Sequence, residues 1–239
     1  MLSMAHPGVW QGVIHSPAAW IFTSVLVIVF PIVDYLLYFH LKSTVGLYVW
    51  NILAEWSLVA GCVQVTHRNG LRLVDLGEWL GSPLRTLAVS GLLVAIVAAL
   101  IIVNKGRSQK ASAEQLSRAA SKVRRLLPTA QTERAIWVVV ALTAGICEEF
   151  LYRGWLLSLF GHALGSVWVG LVVSSIVFGA AHAYQGRNGI IGSSVLGIVL
   201  GGVFVLCGTL LLGQLLHAGI DLQNGFALGK MVNRFEETP

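Results

Sequence analysis

The chain has 239 residues, of which 56% are hydrophobic and only 11% charged, whereas a soluble domain carries about 25% charged residues; a water-soluble fold is excluded. The formal net charge of +5 would suit nucleic acid in a soluble protein, but most of the basic residues gather in one segment. They are read as a membrane-topology signal, and no nucleic-acid partner is expected. Cys62, Cys147 and Cys207 all sit in apolar stretches and form no CxxC motif, which leaves them as small buried hydrophobes rather than a disulfide framework.

Apolar stretches of about 17 to 25 residues recur along the chain, each long enough to cross a hydrocarbon core about 30 Å thick. They predict an all-α fold, a polytopic transmembrane helical bundle of about seven spans, with six to eight compatible with the pattern. The spans fall at 18 to 41, 45 to 66, 84 to 104, 134 to 160, 166 to 184, 188 to 206 and 208 to 229. No basic region precedes the first apolar run and no small-residue cleavage site follows it, so this run is expected to stay as a membrane helix.

Residues 1–104 thus read as N-terminal transmembrane helices. They carry aromatics near span ends, such as Trp20, Tyr35 and Trp56, which mark interfaces. Asp34 and Glu55 stand out more. A carboxylate at mid-bilayer costs about 2.5 to 3.5 kcal/mol, so each must pair, face water or hold a proton.

Residues 105–133 form a basic loop, with Lys105, Arg107, Lys110, Arg118, Lys122, Arg124 and Arg125, followed by Arg134, against Glu114 and Glu133. The positive-inside rule makes this loop cytoplasmic, with the N-terminus outside and the 230–239 tail inside. Helix formers and spaced apolar residues over 111–127 leave two readings open, an interfacial helix on anionic lipid or a solvated basic loop.

The segment 134–229 carries the chemistry. The run Glu148-Glu149-Phe150-Leu151-Tyr152-Arg153 places two carboxylates and a guanidinium inside an apolar helix. Glu149 and Arg153 are four residues apart and share a face, so they can neutralise each other. Glu148 points about 100° away, free to act as a base. A purely structural ion-pair network is the competing reading. The short connection from Gly161 to Gly165 makes a hairpin with the next span, which ends Phe178-Gly179-Ala180-Ala181-His182 and can bring His182 to the depth of the glutamates. In the last span, His217 and Asp221 share a face at i and i+4, so the carboxylate can orient the imidazole or stand beside it at the site.

Such an intramembrane cluster of ionisable groups is a functional hypothesis by default. Two chemistries fit it. A carboxylate can activate water for peptide hydrolysis while donors opposite stabilise an oxyanion. The alternative is zinc held by Glu148, His182 and His217, although no HExxH motif is present.

These three motifs, in this order over roughly 135 to 225, resemble EExxxR, FxxxH and HxxxN/D of the CAAX protease and bacteriocin-processing family of intramembrane endopeptidases. The resemblance implies a catalytic core over 134–229, with Glu148 as general base, His182 polarising the water, and His217 and Asp221 on the oxyanion side. It gives Glu149 and Arg153 a supporting role and Phe178 a packing one. It also implies a glutamate-type protease with no cofactor, in a bacterial-type cell membrane, acting on a membrane-anchored protein or peptide. Asp221 stands where the prenyl-protein members have Asn, which argues against carrying over a prenylated substrate. A proton-coupled transporter or a noncatalytic immunity scaffold would use the same residues differently, but neither repeated halves nor broken helices are evident.

Overall fold

The computed structural model describes residues 7–77, 82–91 and 122–236. All regular structure among them is helical. A short helix α1 (Pro7–Ile14) leads into α2 (Pro17–His40), which opens on Pro17 at its first turn and loosens into a π-helical turn at Val25–Val29. Next come α3 (Thr44–Arg68), a helical segment α4 (83–91), α5 (Gln131–Ala163), α6 (Val167–Ala181), α7 (Gly186–Cys207) and α8 (Leu211–Glu236).

Local chemistry sets the helix starts. Ser43 Oγ accepts from Gly46 N at 3.1 Å and Ser166 Oγ from Val169 N at 3.5 Å, so hydroxyls at the N-caps satisfy amides that have no intrahelical partner. The carboxylate of Glu133 reaches back to Thr129 N and Ala130 N, both at 2.9 Å, at the start of α5. The turn between α5 and α6 passes through Gly165 with φ +70, where glycine avoids the cost of a left-handed backbone.

Among the described residues four helices are long and apolar enough to cross a membrane: α2, α3, α5, and Ala183–Cys207, which contains α7. Two more expected spans are present in other form. α6 is apolar but only 15 residues long. α8 has 26 residues, and its polar stripe keeps it outside those four. Most of the expected span 84 to 104 and of the basic segment 105–133 lies outside the described residues.

The part of the basic segment from Lys122 onward is docked onto the helices. Arg125 donates to the carbonyls of Tyr38 at 2.6 Å, Phe39 at 3.0 Å and Leu41 at 2.5 Å, and so caps the C-terminal end of α2. Tyr38 and Tyr48 in turn donate to the carbonyls of Lys122 and Leu126, at 2.6 and 2.8 Å. One end of the bundle therefore gathers the close of α2, the start of α3 and the approach to α5. At the other end Trp10 of α1 stacks on His162 of α5, with ring centroids 4.6 Å apart.

Helices approach closely where side chains are small, as lipid-embedded bundles require. A Cβ at Gly145 of α5 would stand 2.7 Å from the Gln214 carbonyl oxygen and 2.8 Å from Ala218 Cβ of α8, whereas one at Gly202 would meet nothing within 4 Å. Gly145→Ala is therefore expected to destabilise the protein by about 1–3 kcal/mol through overpacking. Gly202→Ala should stay within about 0.5 kcal/mol of the parent, both read by denaturant unfolding in mixed micelles.

Candidate active site

The paired glutamates stand where α5 changes its winding. Its α-helical stretch ends at Glu148, and a π-helical stretch follows over Glu149–Leu157, every residue of which is buried. Such wide turns recur at functional sites.

Glu149 and Arg153 form the expected pair, with Arg153 Nη1 at 3.1 Å from Glu149 Oε1. The residues are 0% and 2% exposed. The same Oε1 accepts from His217 Nδ1 at 2.9 Å, so one carboxylate oxygen links α5 to α8. Four residues before His217, Gly213 leaves room for this group, since a Cβ there would stand 3.1 Å from Glu149 Oε2. Sequence spacing left Asp221 either orienting His217 or standing beside it; the orienting hydrogen bond goes to Glu149, and Asp221 stands beside the ring.

His217 turns its other nitrogen toward the reactive side. Nε2 lies 3.6 Å from both Glu148 Oε2 and Asp221 Oδ2, too far for hydrogen bonds, so a proton on Nε2 would sit between two carboxylates. Trp137 of α5 donates to the Asp221 carbonyl at 3.2 Å and ties this stretch of α8 in place.

His182 directly follows α6. Its Nδ1 lies 2.8 Å from the Phe178 carbonyl oxygen; because a carbonyl only accepts, Nδ1 carries the proton and Nε2 of the neutral ring bears a lone pair. The turn between α5 and α6 falls at Leu164 and Gly165, and the two helices meet where Phe178 touches both Arg153 and His182.

Phe178 does more than fill space. The Arg153 guanidinium lies over its ring, 4.3 Å from the centroid, a cation–π contact that shields the buried ion pair. Tyr152, His182 and His217 surround the same ring at centroid distances of 5.0, 4.6 and 5.9 Å.

Two cavities meet here. The larger, of about 990 Å³, has His182, His217 and Asp221 on its wall with Asn188 and Ser193. The smaller, of about 200 Å³, is lined by Glu148, Asp221 and His182, and by Glu55 of α3. His182 and Asp221 line both. Glu148 Oε2 is buried without a hydrogen-bond partner. The six residues singled out by the motifs are thus brought together, and Glu55 joins them. Its sequence signal was a carboxylate inside an apolar span, with nothing to say which helix it faced.

Among the described residues no three His, Cys, Asp or Glu side chains are disposed to hold a metal ion. Glu148, His182 and His217, the set that sequence offers to zinc, do not form such a group.

Removing one partner of a buried ion pair strands the other. Arg153→Met is expected to cost about 3–5 kcal/mol in denaturant unfolding, and adding Glu149→Gln to it should recover part of that loss. Full stability in Arg153→Met would contradict the buried joint.

Comparison with known proteins places this geometry. Residues 130–223 match the family model described as Type II CAAX prenyl endopeptidase Rce1-like, a stretch that opens at the start of α5 and closes just after Asp221. No curated protein and no solved structure matches the chain. With three motifs in order on helices that meet at one site, residues 130–223 are similar to the Rce1-like type II CAAX prenyl endopeptidase family.

Proposed function

We propose that this protein is an intramembrane endopeptidase that hydrolyses peptide bonds of membrane-associated proteins or peptides with water activated by Glu148. The observation that carries this reading is the division of labour between adjacent glutamates. Glu149 Oε1 is engaged by Arg153 and His217, while Glu148 presents an unpartnered oxygen and lines a cavity.

The chemistry follows from the groups present. A water between Glu148 and His182 gives one proton to the Glu148 carboxylate and a hydrogen bond to the His182 Nε2 lone pair. Its oxygen adds to the peptide carbonyl. The oxyanion forms on the side of His217, whose protonated Nε2 donates to it, and Asp221 offsets the imidazolium charge. Glu148 then passes its proton to the leaving amine as the C–N bond breaks. Glu149 fixes the His217 ring through Nδ1, so its role is positioning.

The site lies in a helical bundle with several membrane-crossing helices, so the substrate reaches it within or beside the bilayer. Asp221 in place of Asn speaks for a substrate other than a prenylated CAAX tail. A maturation or sorting segment of a membrane-anchored protein in a bacterial cell membrane fits best.

Glu148→Gln, His182→Ala and His217→Ala are each expected to lower kcat by about 10²–10⁴-fold on a panel of membrane-anchored substrates. Metal analysis of the active protein should find no stoichiometric zinc. Wild-type turnover in Glu148→Gln would overturn the proposed base, and bound zinc would overturn the metal-free scheme. No cleavage of any substrate by folded wild type would favour transport or a scaffold role.

A further inference from the structure

The smaller cavity contains a carboxylate that the hydrolysis does not use. Glu55 is 5% exposed, its Oε2 has no hydrogen-bond partner, and it lines the cavity of about 200 Å³ together with Glu148 and Asp221. Its place is set by α3 against α5, where Trp56 Nε1 donates to Thr143 Oγ1 at 3.4 Å. The cavity wall runs along α5 through Val140 and Ala144 to Glu148.

Three carboxyl groups line it, with no lysine or arginine among its described lining residues; the His217 imidazole stands between Glu148 and Asp221, which leaves Glu55 as the carboxyl group without a cationic side chain beside it among the described residues. Buried charge of one sign is retained where something of the other sign arrives to pair with it. The rest of the lining suits a particular visitor. Trp137 and Tyr184 bring aromatic rings, Asn51 and Asn224 bring amide groups, and Val140 and Ala144 bring apolar contact. A lining that combines apolar residues, aromatic rings and carboxyl groups matches a long side chain with an aliphatic stem and a cationic head. The volume would hold roughly six waters at about 30 Å³ each, which is also room for one such side chain.

We propose that this cavity is the subsite for a lysine or arginine side chain of the substrate next to the scissile bond, with Glu55 as the carboxylate that receives its charge. The assignment rests on the endopeptidase reading, because Glu148 shares the cavity and a side chain seated on Glu55 therefore belongs to a residue beside the bond under attack. It also gives the N-terminal helices, which carry none of the three motifs, a part in substrate selection.

The test uses the full chain in lipid nanodiscs and two fluorescent apolar peptides that differ only in one central residue, lysine or norleucine. The lysine peptide is expected to bind wild type about tenfold more tightly, and Glu55→Gln should shrink the ratio to under about twofold. Equal affinity of the two peptides for wild type, or binding of neither, would overturn the subsite, and these comparisons need no variant to fold. A ratio unchanged in folded Glu55→Gln would also overturn it. Binding and cleavage are read separately on the same peptides. A preference without cleavage would support the subsite while contradicting the endopeptidase reading, and cleavage without preference would do the reverse.

Discussion

A single carboxylate oxygen, Glu149 Oε1, receives Arg153 from its own helix and His217 from α8, and the geometry of the site depends on that shared contact. In an apolar bundle an unpaired carboxylate or guanidinium is costly, so the pair is stable only when each finds its partner. Phe178 closes the joint from α6 by placing its ring under the guanidinium. Three helices are thereby fixed to one another at one depth. His217 has no freedom to rotate without giving up its bond to Glu149, and its Nε2 is held toward Glu148 and Asp221.

The space for this joint is made by absent side chains. Gly213 makes room for the Glu149 carboxylate, and Gly145 lets α8 approach α5 to near backbone contact. The π-helical winding over Glu149–Leu157 begins at the joint and coincides with complete burial of that stretch. Charge placement, glycine placement and winding thus act together, and a change in any one of them would be felt at Nε2 of His217.

Much of this was legible in the residues. The i, i+4 spacing gave the Glu149–Arg153 pair, because a helix leaves few other ways to satisfy two charges in lipid. The approach of His182 to the glutamates was legible from the hairpin, whose turn lies at the Gly165 end of the Gly161–Gly165 connection. The partner of His217 was not legible, because Asp221 shares its face and Glu149 is 68 residues away in sequence. Nor was the docking of Arg125 on the end of α2, since a basic residue in a basic segment looks like a topology signal until its carbonyl partners are seen. Glu55 could be recognised as anomalous, but its meeting with Glu148 depends on how α3 lies against α5.

Glu149 and His217 are held as one unit, which leaves Glu148 as the available carboxylate. A double-mutant cycle of Glu149→Gln and His217→Asn, read by denaturant unfolding of the purified protein in mixed micelles, tests it most directly. A coupling energy of about 1–3 kcal/mol is the predicted result. Additive effects, with coupling near zero, would contradict the account.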